Sequence, residues 1–160
     1  MKSPSLQIGN QLFYWGARTV VMGILNITPD SFSGDGLISS GDMLEQSVRQ
    51  AEHFLRHHVD ILDVGGESTR PGAQTVTADE ELERVVPVIQ TLHKNFPDAI
   101  ISIDTYKANV AEEAFKAGAH ILNDVWALRA DPELASVAKR FNVPVILMHN
   151  RSNPATVEVR

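Results

Sequence analysis

Short apolar runs and amphipathic stretches alternate along most of this chain, and the alternation is its clearest structural signal. The apolar runs are nearly continuous and rich in β-branched residues, as expected for strands that are covered on both faces. They occupy residues 20–26, 61–66, 100–104, 121–125 and 143–149. Each run predicts one strand. The polar segments between them are long enough for helices.

Between the runs, apolar residues recur at helical spacing and predict four helices. The stripes are Leu44, Val48, Ala51 and Leu55; Leu82, Val85, Val86 and Ile89; Val110, Ala114 and Ala117; and Leu134, Val137 and Phe141. Local signals agree with them: Thr77 and Glu80 have the spacing of a capping box, Asp131-Pro132 reads as an N-cap followed by proline, and Gly118 as a helix stop. The lead-in at 1–18 predicts a short hairpin over residues 6–15.

The β/α alternation fits two folds, an open doubly wound sheet and a TIM barrel. No G-x-G-x-x-G or P-loop motif follows any predicted strand, which argues against a nucleotide-binding doubly wound domain. A TIM barrel takes eight strands and about 250 residues, whereas this chain has 160 residues and five predicted strands. If it is a barrel, it corresponds to about five-eighths of one. No linker or composition shift divides it, so we predict one domain over 1–160 that is incomplete at its C-terminal end.

Composition narrows the function classes. Hydrophobic residues make up 43% and charged residues 21%, as in a soluble domain, and the net charge of -6 comes without any block of like charge. Nucleic acid is therefore not an expected partner. The absence of cysteine excludes disulfides, thiolate zinc sites and a thiol nucleophile. Without an apolar signal core or a run near the roughly 20 residues of a membrane span, we predict a cytoplasmic protein.

Polar residues gather where the predicted strands end. Both candidate folds place their active sites at the C-terminal ends of parallel strands, so these residues are expected to lie on one rim. They are Asn26 after the first strand, the loop 65–72 after the second, Asp104 and Thr105 after the third, Asn123 and Asp124 in the fourth, and Met148 and His149 at the end of the fifth.

Structural roles compete with binding roles at these positions. Asp104 could cap the helix that follows, Asn123 and Asp124 could be turn residues, and Asn26 could belong to an ordinary turn. The loop 67–72 combines an arginine with two hydroxyl residues and a proline, which suits an anion. His53 and His57 have a metal-ligand spacing but no third ligand nearby. For His149, the sequence does not choose between a structural role and a binding role.

Two segments carry a family resemblance. Residues 22–33 (MGILNITPDSFS) and 63–72 (DVGGESTRPG) resemble the signature segments of the dihydropteroate synthases, and the runs 102–105, 121–125 and 147–149 are similar to that family's next three strand ends. The resemblance covers nearly the whole chain. It implies a TIM barrel that condenses (7,8-dihydropterin-6-yl)methyl diphosphate with 4-aminobenzoate in folate biosynthesis and releases diphosphate.

The resemblance also implies residue roles, with Arg70 and Asp104 as the catalytic pair. Asn26 matches a magnesium (Mg²⁺) ligand near the diphosphate, and Asp104 and Asn123 match groups that hydrogen-bond the pterin. The remaining matches bind substrate: Thr69 and Arg70 in the loop that contacts the diphosphate and 4-aminobenzoate, Phe32 and Pro71 beside the aromatic substrate, and Met148 at the fifth strand end. Where members often read Ser-Asp-Gly-Gly, residues 33–36 read Ser-Gly-Asp-Gly, so the match of Asp35 is open.

The family's later strands supply another aspartate, a lysine and an Arg-x-His motif that have no counterpart in these 160 residues. We therefore expect this chain alone to be unstable or catalytically silent. We also expect it to be either part of a longer sequence or half of a split protein. The full-length family members are expected to be homodimers. Two other hypotheses stay open: a non-catalytic pterin-binding or interaction module, and a domain that transfers a methyl group from a folate to a corrinoid. The Ser-Thr-Arg-Pro loop argues against the last, since that chemistry has no diphosphate to hold.

Overall fold

Strands and helices alternate as predicted in the computed structural model of the chain, which describes residues 4–28, 40–68 and 75–149. The strands are β1 (Ser5–Ile8), β2 (Gln11–Tyr14), β3 (Met22–Asn26), β4 (Ile61–Gly65), β5 (Ile100–Asp104), β6 (Ile121–Asp124) and β7 (Val145–Leu147). The helices are α1 (Ser40–Arg56), α2 (Ala78–Asn95), α3 (Ala108–Ala117) and α4 (Leu134–Phe141). Within the described ranges, the five predicted strands and the four predicted helices are confirmed.

The outer strands β3 and β7 are shorter than predicted, for local reasons. The N–H of Val21 donates to a carboxylate oxygen of Asp60 at 2.8 Å rather than to a neighbouring strand. The N–H of Val143 donates to the carbonyl of Ala138 and so closes the end of α4. Hydrophobic runs thus continue for up to two residues beyond the paired strand.

Strand order separates the two candidate folds. The five parallel strands follow one another across the sheet as β3-β4-β5-β6-β7, whereas a doubly wound sheet reverses its order at a switch point. The helices pack against one face of this sheet and against their sequence neighbours, α1 on α2, α2 on α3 and α3 on α4. This sequential arrangement is that of consecutive β/α units of a TIM barrel.

The two faces of the sheet have different partners. The helix-facing core contains Leu62, Val64, Ile101, Ile103 and Leu122 from the strands, all fully buried. On the opposite, inward face, the first residues of three strands form a second cluster with the β1–β2 hairpin; its members are Ile8, Phe13, Ile61, Ile100 and Ile121. The predicted hairpin is therefore confirmed, and it covers the N-terminal end of the inward face.

Two of the three helix-end predictions are confirmed. The side chain of Thr77 accepts from the N–H of Glu80 at 3.3 Å, and the Glu80 carboxylate accepts from the N–H of Thr77 at 2.9 Å. Gly118 ends α3 with a φ of 118°, a conformation that favours glycine.

The Asp131-Pro132 prediction is wrong, because α4 begins only at Leu134. The Asp131 carboxylate accepts from the N–H of Glu133 at 2.9 Å and from the N–H of Ala108, the first residue of α3, at 2.8 Å. It therefore caps the neighbouring helix, 23 residues away in sequence.

His120 makes the stability of the fold depend on pH. Its ring Nδ1 accepts from the N–H of Ile101 at 3.2 Å, a role that only the neutral ring can fill. Burial, followed by the nearby His93, lowers the pKa of His120 below its usual value. As pH falls below the unfolded-state pKa near 6.5, the unfolded chain takes up a proton first, so stability falls with pH.

We predict that His120→Asn weakens this pH dependence. The asparagine oxygen can accept from the same N–H but does not titrate, so between pH 7.5 and 5.5 the free energy of unfolding should fall less than in the wild type. The difference should not exceed the value of about one hydrogen bond, roughly 0.5 to 1.5 kcal/mol. Urea unfolding of the complete protein at both pH values measures it, and identical pH profiles would show that His120 plays no such role.

Candidate functional site

The strand-end residues form one row across the sheet. The register pairs Asn26 with Gly65, Gly65 with Asp104, Asp104 with Asn123, and Asn123 with Ile146. Neighbouring strands lie about 4.8 Å apart, so Asp104 and Asn123 are direct neighbours and Asn26 is two strands from Asp104. We call this row the rim. The prediction that polar strand ends meet on one rim is confirmed for Asn26, Asp104 and Asn123.

The Asp104 carboxyl on the rim has a strongly raised pKa. Burial raises the pKa of its carboxyl to about 7, and the negative charges of Asp63, Glu81, Asp124 and Glu67 add to the effect. The carboxylate accepts no hydrogen bond from the residues that the structure describes. A partly buried acid without a partner is the state expected of a group that binds a donor from outside the protein.

The alternative role for Asp104, a helix cap, is not the one observed. Helix α3 begins at Ala108, whose N–H is bonded by Asp131. The hydroxyl of Thr105 accepts from the N–H of Lys107 at 3.2 Å. Among the described residues, Asp131 and Thr105 bond this helix end and Asp104 does not, so its carboxylate remains available to a ligand.

Asn123 and Asp124 have separate roles because they point to opposite faces of β6. Asp124 is fully buried on the helix side and accepts from the N–H groups of Trp126 and Leu128, at 2.8 and 2.5 Å. It therefore shapes a turn in which Ala127 and Leu128 have φ values of 53° and 61°. The turn interpretation holds for Asp124, whereas Asn123 lies on the inward face of the rim.

A buried polar pair below the rim was not anticipated. Asp63 and Ser102 are register partners on β4 and β5, and they are 3% and 0% exposed. Asp63 Oδ2 accepts from Nδ2 of Asn123 at 3.0 Å. Asp63 Oδ1 and Ser102 Oγ make no hydrogen bond of good geometry with a described residue, but the Ser102 hydroxyl is close enough to Asp63 to favour its charged form. Burial raises the pKa of Asp63 against the opposing effect of the Ser102 hydroxyl and the Asn123 amide.

A second group that sequence reasoning missed lies where the chain leaves β4, and we call it the Lys107 cluster. Lys107 Nζ lies 2.5 Å from Oε2 of both Glu67 and Glu81, and the Tyr106 hydroxyl donates to Glu67 at 3.0 Å. Burial tends to lower the pKa of Lys107, but the hydrogen bonds to the two glutamates outweigh it and raise that pKa. Burial raises the pKa of Glu81 despite the lysine.

Close backbone packing holds the Lys107 cluster against α2. A Cβ atom on Gly66 would lie 2.8 Å from Val85 Cγ1 and 2.9 Å from Glu81 Cγ, too close for any other residue without a shift. An Arg84 guanidinium N–H donates to the Gly66 carbonyl at 2.8 Å. The segment that follows β4 therefore starts from a fixed point beside the rim.

The other predicted site residues are either exposed or outside the described residues. Asn26 is exposed at the end of β3, and Met148 is 45% exposed, with its N–H bonded to the carbonyl of Asp124 at 3.1 Å. His149 is exposed. Phe32, Asp35, Thr69, Arg70 and Pro71 lie outside the described residues.

Neither a metal-binding cluster nor a membrane-spanning helix is present in the described ranges 4–28, 40–68 and 75–149. His57 Nδ1 lies 2.8 Å from the carbonyl oxygen of His53, which ties this pair to its own helix. Over these ranges, no cluster of three or more His, Cys, Asp or Glu side chains has a metal-binding arrangement. No helix of the described part is both long and apolar enough to cross a membrane.

Comparison with known proteins gives a consistent result. The family model described as "Pterin binding enzyme" matches residues 22–160. A dihydropteroate synthase of Clostridium beijerinckii is 49% identical over 148 residues, which cover 92% of this chain and 54% of that enzyme. The chain thus spans about half the length of this relative.

Solved structures agree in fold. The dihydropteroate synthase of Clostridium difficile, determined in the presence of pteroic acid, superposes with a TM-score of 0.82 at 50% identity, covering 88% of this chain and 52% of that one. The enzyme of Xanthomonas albilineans with 4-aminobenzoic acid gives a TM-score of 0.84 at 41% identity, covering 94% and 53%.

Proposed function

Since this chain belongs to the pterin-binding enzyme family, we propose that it provides the pterin-binding part of a dihydropteroate synthase. The proposed reaction joins (7,8-dihydropterin-6-yl)methyl diphosphate to 4-aminobenzoate and releases diphosphate. One observation carries the proposal: the Asp104 carboxylate, which has no hydrogen-bond partner among the described residues, lies beside Asn123 at the C-terminal end of parallel strands. The names of the relatives support the same activity.

Asp104 and Asn123 are the proposed pterin-binding residues. A pterin carries adjacent N–H donors on its pyrimidine edge, and a carboxylate in a site of low polarity is a strong acceptor for such a pair. The negative charge also stabilises positive charge on the ring as the diphosphate leaves. This electrostatic role needs the ionised form of Asp104, which its pKa of about 7 makes sensitive to pH in the physiological range.

Thr69 and Arg70 are proposed to hold the diphosphate. A guanidinium offers paired donors that match phosphate oxygens, and a hydroxyl adds one more. The Lys107 cluster supports this assignment, because it fixes the chain at Glu67, two residues before Thr69. Phe32 and Pro71 are proposed to contact the 4-aminobenzoate ring, for which apolar side chains are suitable partners. Met148 is proposed to bind substrate at the fifth strand end.

The proposed metal is Mg²⁺, with Asn26 as one ligand. Asn26 is exposed at the end of β3 and offers an amide oxygen, a type of ligand that Mg²⁺ accepts. One protein oxygen fits such a site, because phosphate oxygens and water commonly supply the rest. When bound, the ion would supply positive charge that neutralises the departing diphosphate.

In the proposed mechanism, diphosphate leaves the pterin methylene first and a resonance-stabilised cation forms. The amine of 4-aminobenzoate then attacks the methylene carbon and releases a proton to solvent. The rim orients the ring so that its methylene faces the diphosphate loop. Asp104 stabilises the electron-poor ring, and Arg70 stabilises the leaving group. No protein nucleophile is required, in keeping with a chain that has no cysteine.

The extent of the domain, the assembly and the location are part of the same proposal. We propose a single pterin-binding domain over residues 1–160, completed in the whole protein by the remaining strands of the barrel. We also propose a homodimer, as the family resemblance implies, and a cytoplasmic location, as expected from the sequence. The match of residues 22–160 to the family supports the domain assignment.

We predict that Arg70→Ala in the complete protein lowers turnover by about tenfold to a hundredfold, the value of one or two charge-assisted hydrogen bonds to phosphate. The diphosphate is held in the ground state as well, so KM for the pterin diphosphate should rise. Release of diphosphate in the presence of 4-aminobenzoate measures both constants. Arg49→Ala, which removes a surface arginine paired with Glu45 on α1, is the matched control, and equal kinetics in the two variants would refute the assignment.

A further inference from the structure

Asp63 and Asn123 form a hydrogen bond that spans three strands. Asp63 lies on β4, Asn123 on β6, and β5 runs between them with Ser102 directly beside Asp63. Asn123 Nδ2 donates to Asp63 Oδ2 at 3.0 Å, and Asp63 is only 3% exposed. The bond therefore lies beneath the rim, inside the inward face, where neither partner is needed to cap a helix or close a turn.

This bond determines which end of the Asn123 amide faces upward. An amide has an acceptor oxygen on one side and a donor nitrogen on the other, and the two are nearly equal in size. A carboxylate can only accept, so the nitrogen must face Asp63. The carbonyl oxygen of Asn123 then points away from Asp63 and remains without a partner among the described residues.

We propose that Asp63 is a positioning residue that fixes the amide of Asn123, so that the rim presents two neighbouring acceptors, Asn123 Oδ1 and the Asp104 carboxylate, to N–H groups of the pterin ring. This inference rests on the proposed function, since the ring is its ligand. It adds a detail of recognition: Asn123 accepts a hydrogen bond from an N–H of the pterin ring. Asp63, which does not contact the ligand, holds the Asn123 amide in that orientation.

Ser102 supports the same role. Its fully buried hydroxyl lies on the strand next to Asp63 and acts to lower the pKa of that carboxyl. Ser102 therefore favours the ionised form of Asp63, the form that accepts from the Asn123 amide.

Exchanging the two residues tests the proposal without changing the net charge of the pair. Asn123→Asp alone sets two carboxylates against each other, and we expect it to weaken binding by about 30-fold. In the double variant Asp63→Asn, Asn123→Asp, the amide is moved to β4 and can donate to the carboxylate on β6, whose second oxygen still offers an acceptor to the ring. We expect the exchange to recover at least about tenfold of the lost affinity. Calorimetric titration of the complete protein with 6-hydroxymethylpterin measures each Kd.

Two single variants and one control complete the set. Asp63→Asn keeps an acceptor for Asn123 and should change the affinity by no more than about threefold, whereas Asp63→Leu removes the acceptor and should weaken binding about tenfold. Ser47→Ala, which deletes a fully buried hydroxyl bonded to Met43 in α1, is the control for loss of a buried polar group and should bind as the wild type does. Circular dichroism establishes that each variant is folded.

The outcomes separate the inference from the proposed function. Recovery in the double variant supports the positioning role, because merely structural defects at the two positions would accumulate. If the double variant binds as weakly as Asn123→Asp, or if Asp63→Leu binds as the wild type does, the inference is overturned while the proposed function stands. Should Asn123→Asp fail to fold, the Asp63→Leu comparison decides. A wild type that does not bind the pterin overturns both.

Discussion

Asp104→Asn in the complete protein is expected to weaken pterin binding by about 2 to 4 kcal/mol, or about 30-fold to 1,000-fold in Kd. The structure gives the reason: the Asp104 carboxylate is partly buried, has no partner among the described residues and lies beside Asn123 on the rim. Asparagine keeps the shape and one acceptor oxygen but loses the charge and the second acceptor. Calorimetric titration with 6-hydroxymethylpterin at pH 8, where the wild-type carboxylate is ionised, measures the loss.

The pH dependence of the same titration should change in a defined direction. With a pKa of about 7, Asp104 takes up a proton as pH falls through neutrality, and the protonated acid is a poorer acceptor. Wild-type affinity should therefore fall below pH 7, by at most about tenfold for each pH unit. In Asp104→Asn this fall should disappear.

Asp98→Asn provides the matched control for Asp104→Asn. Asp98 lies at the opposite end of the sheet, where its carboxylate accepts from the side chain of Asn10 at 2.7 Å. The same chemical change there should leave both the affinity and its pH dependence as in the wild type. Equal behaviour of the two variants would remove Asp104 from the pterin site.

Lys107→Met should produce the largest loss of stability, about 3 to 5 kcal/mol in the free energy of unfolding at pH 7. Lys107 is 15% exposed, and its two partners Glu67 and Glu81 are 8% and 1% exposed. Methionine retains the apolar stem but leaves two buried carboxylates facing each other. Burial already raises the pKa of Glu81, and loss of the lysine removes the charge that opposes this rise. The deficit should therefore shrink as pH falls toward 5 and the Glu81 carboxyl becomes neutral. Urea unfolding of the complete protein at both pH values measures it.

Lys116→Met is a matched control because Lys116 also contacts two glutamates. Its Nζ lies 3.0 Å from Glu112 and 2.8 Å from Glu113, but its side chain is 51% exposed. Water can solvate all three charges after the substitution, so little stability should be lost. If Lys107→Met costs no more than Lys116→Met, the Lys107 cluster does not anchor the chain after β4.

The sequence predicted the features that depend on neighbouring residues. Near-continuous apolar runs identified all five parallel strands, and the capping box of Thr77 and Glu80 was visible from its spacing. The rim could also be predicted, since parallel strands bring their C-terminal ends to one edge wherever they lie in the sheet. This reasoning needed no knowledge of which strands were adjacent, and the strand order itself came only from the structure.

Features that depend on distant pairs were missed. Asp131 caps a helix 23 residues upstream, Lys107 bridges glutamates 26 and 40 residues upstream, and Asp63 meets Asn123 across 60 residues. No pattern among neighbouring residues indicates contacts between residues so far apart in sequence. A weaker signal was present for the last pair, because Asp63 is a polar residue inside an apolar strand, and a buried polar group requires a partner.

The most direct test of the account is a crystal structure of the complete protein with 6-hydroxymethylpterin bound. The account predicts the ring at the C-terminal ends of β5 and β6, with ring N–H groups within hydrogen-bond distance of the Asp104 carboxylate and of Asn123 Oδ1. A ring bound elsewhere, such as against the hairpin end of the sheet, or one that contacts neither residue, would contradict it.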